Sequence, residues 1–176
     1  MRITFGIMLL AAVLSAVSFA DETLPAATLK VDLATVVSEG TVRPVDGVST
    51  AGQPDEAALA VFAKQGYTTV IDIRGEYENR GLDEAAVVAD LGMEYVSFPI
   101  AGADAINFEN ARTLADLIKA ADGPVLVHCG SANRVGALLA LDKSTAGASD
   151  SQALEYGTKA GMTSLKPTVE KILKDD

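Results

Sequence analysis

The chain has 176 residues, 49% of them apolar and 22% charged, enough for one domain with its own core and too apolar for a disordered tail. Fourteen Lys and Arg against 24 Asp and Glu leave a net charge of −10, which argues against nucleic acid or an anionic membrane as partner, since both select basic surfaces. A single Cys and a single His exclude an intramolecular disulfide and argue against a zinc site built from those residues; no metal and no cofactor is expected.

Residues 1–20 stand apart. Arg2 is the only charge before Asp21, and Ile3 to Val17 is almost wholly apolar or small. Ser18 and Ala20 fit the small positions of a signal-peptidase site, and the apolar run is short for a membrane span of ~20 residues. The expectation is a signal peptide cleaved after Ala20, a periplasmic or secreted product, and no membrane association after cleavage. Residues 21–45 form an N-terminal arm, where Leu29, Val31 and Leu33 alternate as in a short edge strand. Residues 46–176 form the domain.

Within that domain, helices and strands alternate. Pro54 suits the first position of a helix whose apolar face is Leu59, Phe62 and Ala63 and which Gly66 ends. Thr68 to Ile73, mostly β-branched, reads as a strand. A helix over Asp83 to Leu91 and a strand over Tyr95 to Phe98 follow. Asn107 can cap a third helix running to about Ala121. Val125 to His128 is apolar enough for a strand buried on both faces. Further helices start near Arg134, at Ser149 with Gln152 as a capping box, and at Pro167. This alternation predicts an α/β fold of three layers, a mostly parallel central sheet flanked by helices.

Ligands in such sheets bind beyond the carboxyl ends of the strands, and one unusual cluster lies there. Residues 125–136 read Val-Leu-Val-His-Cys-Gly-Ser-Ala-Asn-Arg-Val-Gly. Backbone N–H groups of Gly130, Ser131, Ala132, Asn133 and Arg134 can converge on an anion, and the helix that opens at Arg134 adds partial positive charge. Asn133 is the residue suited to a left-handed turn there. Arg134 can offer two parallel N–H bonds to an oxyanion. The same field favours the thiolate of Cys129. A loop that both binds an oxyanion and activates a thiol suits phosphoryl transfer to sulfur and then to water. His128, on the opposite strand face from Cys129, would fix the loop from behind rather than form a Cys–His pair. Asp72 and Arg74 read as an ion-paired rim, and Glu76, Glu78 and Asp83 as a solvated face.

His128-Cys129, five residues and then Arg134 resembles the loop signature of cysteine-dependent phosphatases of the protein-tyrosine and dual-specificity type. Ala51-Gly52-Gln53-Pro54, Val70-Ile71-Asp72-Ile73-Arg74 and Asn133-Arg134-Val135-Gly136 extend the resemblance over about residues 46–165, to a bacterial subgroup labelled beta-lactamase-hydrolase-like and often found near sulfide-oxidation enzymes. The resemblance implies a phosphatase-like fold and Cys129 as nucleophile. It also implies a general acid on the loop after Phe98-Pro99, where Asp104 is the one carboxylate before the next helix. The substrate would be a phosphate-bearing small molecule or an exposed phosphoresidue. Two positions depart from the better-known members: Ala132 replaces Gly, and Val135 replaces the Ser or Thr that helps the sulfur leave. Two other functions stay open at this point: a sulfurtransferase-like persulfide carrier on Cys129, and a non-catalytic anion- or partner-binding module.

Overall fold

The structure is a computed structural model; it describes residues 48–175 and the backbone of residues 43–45. The expected signal peptide and the Leu29–Leu33 alternation lie outside the described residues. Strands β1 (Arg43–Val45), β2 (Val48–Ala51), β3 (Thr69–Asp72), β4 (Glu94–Ser97) and β5 (Val125–His128) form one sheet in the order β1-β2-β5-β3-β4. Strand β1 runs antiparallel on the edge, and the other four are parallel. Helices α1 (Glu56–Lys64), α2 (Glu84–Asp90), α3 (Phe108–Ala120), α4 (Asn133–Thr145), α5 (Asp150–Lys159) and α6 (Lys166–Asp175) complete the chain.

The order explains why the site is central. From β2 to β3 to β4 the chain moves toward one edge, then α3 carries it back to insert β5 between β2 and β3. Ligand crevices in open α/β sheets form where the winding reverses in this way, at the carboxyl ends of the strands. The period of two along each strand sorts the core into two layers. Val70 and Leu126 pack with Leu59, Phe62 and Val88 of α1 and α2, whereas Ile71, Ile73, Val125, Val127 and Cys129 pack with α3 to α6.

Local signals set most helix starts. Asp55, Asp83, Asn107 and Ser149 each accept a hydrogen bond from a first-turn N–H of α1, α2, α3 and α5, and Ser149 with Gln152 forms the reciprocal capping box. Pro54 lies before the N-cap Asp55 rather than in the first helical position, because the carboxylate takes the Ala58 N–H at 2.8 Å. Helix α4 is pinned against α5 at glycines. A Cβ on Gly136 would meet the Met162 nitrogen at 2.4 Å and the Gly157 carbonyl at 2.5 Å, so the helix that carries Arg134 has one seat.

Candidate active site

Strand β5 ends at His128, and the chain crosses from Cys129 to Ala132 before α4 opens at Asn133. The Cys129 N–H donates to the Ala51 carbonyl at 3.3 Å, and the Gln53 N–H to the Gly130 carbonyl at 3.4 Å, so the loop is tied to the chain leaving β2. Ala132 adopts the left-handed conformation, φ 64°, alone among the described non-glycine residues. That places the turn one residue earlier than the sequence suggests. Asn133 is instead the first residue of α4, and its side chain faces away from the turn. Its Oδ1 accepts the N–H groups of Thr163 (2.8 Å) and Leu165 (3.3 Å), and its Nδ2 donates to Ser164 Oγ (2.8 Å). Asn133 therefore staples the α5–α6 connection beside the loop with its side chain, and its backbone N–H is what it can offer an anion at the turn.

The N-terminus of α4 differs from those of α1, α2, α3 and α5. Ala132 supplies no side-chain cap, and the first N–H groups of a helix have no intrahelical partners. Those donors open onto the loop whose Gly130 and Ser131 are exposed. Cys129 lies beneath, 1% exposed, on the core face shared with Ile73 and Val135.

Arg134 is held from outside the loop. Its Nη1 donates to Glu78 Oε1 (2.5 Å) and to the Ile100 carbonyl (2.9 Å), and its Nη2 to Glu78 Oε2 (2.7 Å). The hydrogen bonds with Glu78 raise the Arg134 pKa above its usual value; burial opposes this, and the charge of Cys129 adds to it. The same ion pair holds Glu78 below the usual carboxylate range, against its partial burial. Glu78 is thus a member of the site and not part of a solvated face. No local pattern could have marked it, since 56 residues separate the partners. Of the five guanidinium N–H groups, three are engaged by Glu78 and Ile100; two remain for an oxyanion or for the sulfur of Cys129.

Asp104 is exposed in the connection between β4 and α3, and its carbonyl accepts from Asn107 Nδ2 at 3.1 Å. That connection reaches the site at Ile100, through the carbonyl that takes Arg134 Nη1.

Behind the loop lies a second, closed cluster. Asp72, Arg74, Glu84 and His128 are at most 1% exposed, so Asp72 and Arg74 form no rim. Arg74 grips Asp72 with Nε (3.0 Å) and Nη2 (2.9 Å), and Nη2 also reaches Glu84 (2.5 Å). Arg80 and the Tyr95 hydroxyl donate to Asp72 at 2.8 and 2.9 Å. Burial alone would raise the Asp72 pKa; the hydrogen bonds from Arg74 and the charges of His128 and Arg74 hold it well below the usual range. Tyr95, partly buried beside that carboxylate, is pushed up to about 12. His128 Nε2 lies 2.6 Å from Glu84 Oε1 and 3.9 Å from Asp72 Oδ1. The ring therefore meets α2 and β3 rather than bracing the loop. Asp72, Glu84 and His128 carry ligand atoms within 4.8 Å of one another, the types a metal could use. The donor set does not fit one, because the Arg74 guanidinium already pairs with both carboxylates and a cation would lie against that positive charge.

Comparisons with known proteins bear on the fold and the family. A solved protein of Neisseria meningitidis Z2491 superposes with a TM-score of 0.62 at 19% identity, covering 71% of this chain and 92% of that one. TpbA of P. aeruginosa, solved in complex with pTyr, gives 0.52 at 17% identity, covering 80% and 99%. Both likenesses show the fold. In sequence, the "Beta-lactamase hydrolase-like protein" of Xylella fastidiosa strain Temecula1 is 33% identical over 100 residues, 54% of this chain and 23% of that protein's length. This chain therefore spans about a quarter of the relative it matches. Residues 45–174 match the family described as "DSP-PTPase phosphatase fused to NAD+ Kinase", and the chain belongs to that phosphatase family.

Proposed function

We propose that the mature chain is a periplasmic or secreted hydrolase of phosphomonoesters, working through a thiophosphoryl-cysteine intermediate. The observation that carries this reading is the pairing of Cys129 with an uncapped helix N-terminus and with an Arg134 that Glu78 orients while leaving two N–H groups unused. In the first step the Cys129 thiolate attacks phosphorus in line. The phosphorus–oxygen bond to the leaving group breaks, and Asp104 gives its proton to that oxygen. Arg134 and the N–H groups of residues 130–134 hold the three equatorial oxygens. In the second step water attacks phosphorus, the sulfur leaves, and phosphate is released.

Val135 is fully buried in the apolar core and offers no hydroxyl to the departing sulfur. The second step is therefore the slow one, and the thiophosphate accumulates as a burst. The substrate is a phosphate-bearing small molecule or an exposed phosphoresidue; the pTyr complex of the fold relative TpbA supports this class. Export rests on the Ser18-Phe19-Ala20 junction and predicts a mature N-terminus at Asp21.

Purified residues 21–176 should release phosphate, with a burst, from nitrophenyl phosphate. Thiocyanate from thiosulfate and cyanide would transfer the protein to sulfur chemistry, and neither product would reduce it to a binding module. Asp104→Asn should slow phosphoryl transfer from an alkyl phosphate far more than from nitrophenyl phosphate, within the ~10²–10⁴ range of acid catalysis, because only the alkoxide needs the proton. Equal losses would remove Asp104 from the mechanism.

A further inference from the structure

The connection between β3 and α2 does more than return the chain. Every bend of it is tied. The Gly75 N–H donates to Glu78 Oε1 at 2.8 Å, the Glu78 N–H to the Gly75 carbonyl at 3.1 Å, and the Gly81 N–H to Asn79 Oδ1 at 2.9 Å. Arg80 then fastens the loop to the sheet. Its Nε donates to Asp72 Oδ2 at 2.8 Å, its Nη1 to the Glu78 carbonyl at 3.3 Å and, at the long limit of 3.5 Å, to the Glu76 carbonyl, and its Nη2 to the Arg74 carbonyl at 3.4 Å. Asp72 is an immobile anchor, 0% exposed and gripped also by Arg74 and Tyr95. Four oxygens around one planar guanidinium are a task for Arg; a Lys ammonium is a point charge on a flexible stem and cannot span them.

The side chain of Glu78, whose backbone is held in this way, carries both oxygens that orient Arg134. Arg80 makes no hydrogen bond to the 129–134 loop; its hydrogen bonds end on Asp72 and on the carbonyls of residues 74, 76 and 78.

We propose that Arg80 is a positioning residue of the anion site: it fixes the 75–80 loop on Asp72 so that Glu78 presents Arg134 at the angle an oxyanion needs. The proposal rests on the reading of the 129–134 loop as that site. Its effect runs through Glu78, which a general loss of stability would not reproduce.

A double-mutant cycle tests this, with the dissociation constant of inorganic phosphate as readout and thermal unfolding as control. Arg80→Lys keeps the charge beside Asp72 and loses the span to the carbonyls. It should weaken phosphate binding roughly tenfold, a size common for residues coupled through contact, with little change in melting temperature. In a Glu78→Gln background the same substitution should add almost nothing. Should Arg80→Lys unfold, Arg80→Gln runs through the same cycle. Wild-type phosphate affinity in Arg80→Lys, or losses that add in the double variant, would overturn the positioning role while leaving the anion site intact. Phosphate binding that survives Arg134→Ala would remove the anion site, and the proposal with it.

Discussion

His128 and Cys129 are neighbours in the chain and opposites in setting. His128 faces α1 and α2, in a closed nest of charges where Arg74 is ion-paired with Asp72 and Glu84. Cys129 faces α3 to α6, on apolar packing below and beneath an open helix N-terminus above. One strand step, with its alternation of faces, separates a region whose charges serve the fold from a region whose donors are left free. Residues of the same type thus have different jobs on the two sides. Arg74 holds Asp72 and Glu84 with its side chain 2% exposed and its Nη1 shut in without a partner, whereas Arg134, oriented by Glu78 and the Ile100 carbonyl, has a side chain 19% exposed and N–H groups a ligand can reach.

The largest effects should come from breaking each side separately. Arg74→Met leaves two buried carboxylates short of their shared partner; removing one member of a buried ion pair costs about 3–5 kcal/mol. Urea unfolding should show that loss, and phosphate affinity measured below the transition should change little. Cys129→Ser should do the reverse. Its unfolding midpoint should stay close to that of the wild type, and release of phosphate should fall by a factor on the order of 10⁴ or more, as when other catalytic nucleophiles are removed. A Cys129→Ser protein that retains turnover, or an Arg74→Met protein as stable as its parent, would erase the distinction between the two sides.

Acid should sharpen it. The folded-state pKa of Asp72 is depressed, so its contribution to stability is complete above the unfolded value of about 4 and is lost as pH falls below it, toward the folded-state value. The stability of the wild type should therefore decline below about pH 4, and Asp72→Asn should be less stable at pH 7 with a shallower decline in acid. Glu78 is depressed in the same direction but is partly exposed. Glu78→Gln should leave the acid limb of unfolding nearly intact, because solvent screens an exposed pair. A decline of equal slope in Asp72→Asn and the wild type would mean that the acid limb arises elsewhere.

The local parts of this arrangement were legible in the residues, and the long-range parts were not. Cys129 to Arg134 is one strand–turn–helix unit whose spacing states its own geometry, and Asn107 and Ser149 with Gln152 announce their helices by side-chain chemistry alone. The role of Glu78 and the side-chain partners of Asn133 escaped because those partners lie 56 and 30–32 residues away. Asp72 and Arg74 read as a rim because nothing local shows that Glu84 of α2, Arg80, Tyr95 of β4 and His128 of β5 meet them and bury them. Strand β1, Arg-Pro-Val, carries a proline, and β2, Val-Ser-Thr-Ala, lacks the large apolar side chains that mark β3 and β5.

The smallest expected effect lies at the turn itself, where propensity pointed to Asn133 and the structure uses Ala132. An L-residue in the left-handed region carries about 1–2 kcal/mol of steric strain, which glycine removes. Against this, Ala132→Gly gives up a buried methyl, about 0.8 kcal/mol, and frees the unfolded chain by about 0.5–1 kcal/mol. These terms nearly cancel, so Ala132→Gly should shift the urea midpoint little. Ala137, equally buried but inside α4, has no strain to relieve. Ala137→Gly should cost about 2 kcal/mol, from helix propensity and the lost methyl together. The gap between two identical substitutions five residues apart measures the strain held in the loop. Equal losses would mean that Ala132 sits there without strain, and the left-handed turn would then owe nothing to the ties from Ala51 and Gln53 that hold the chain on either side of Cys129.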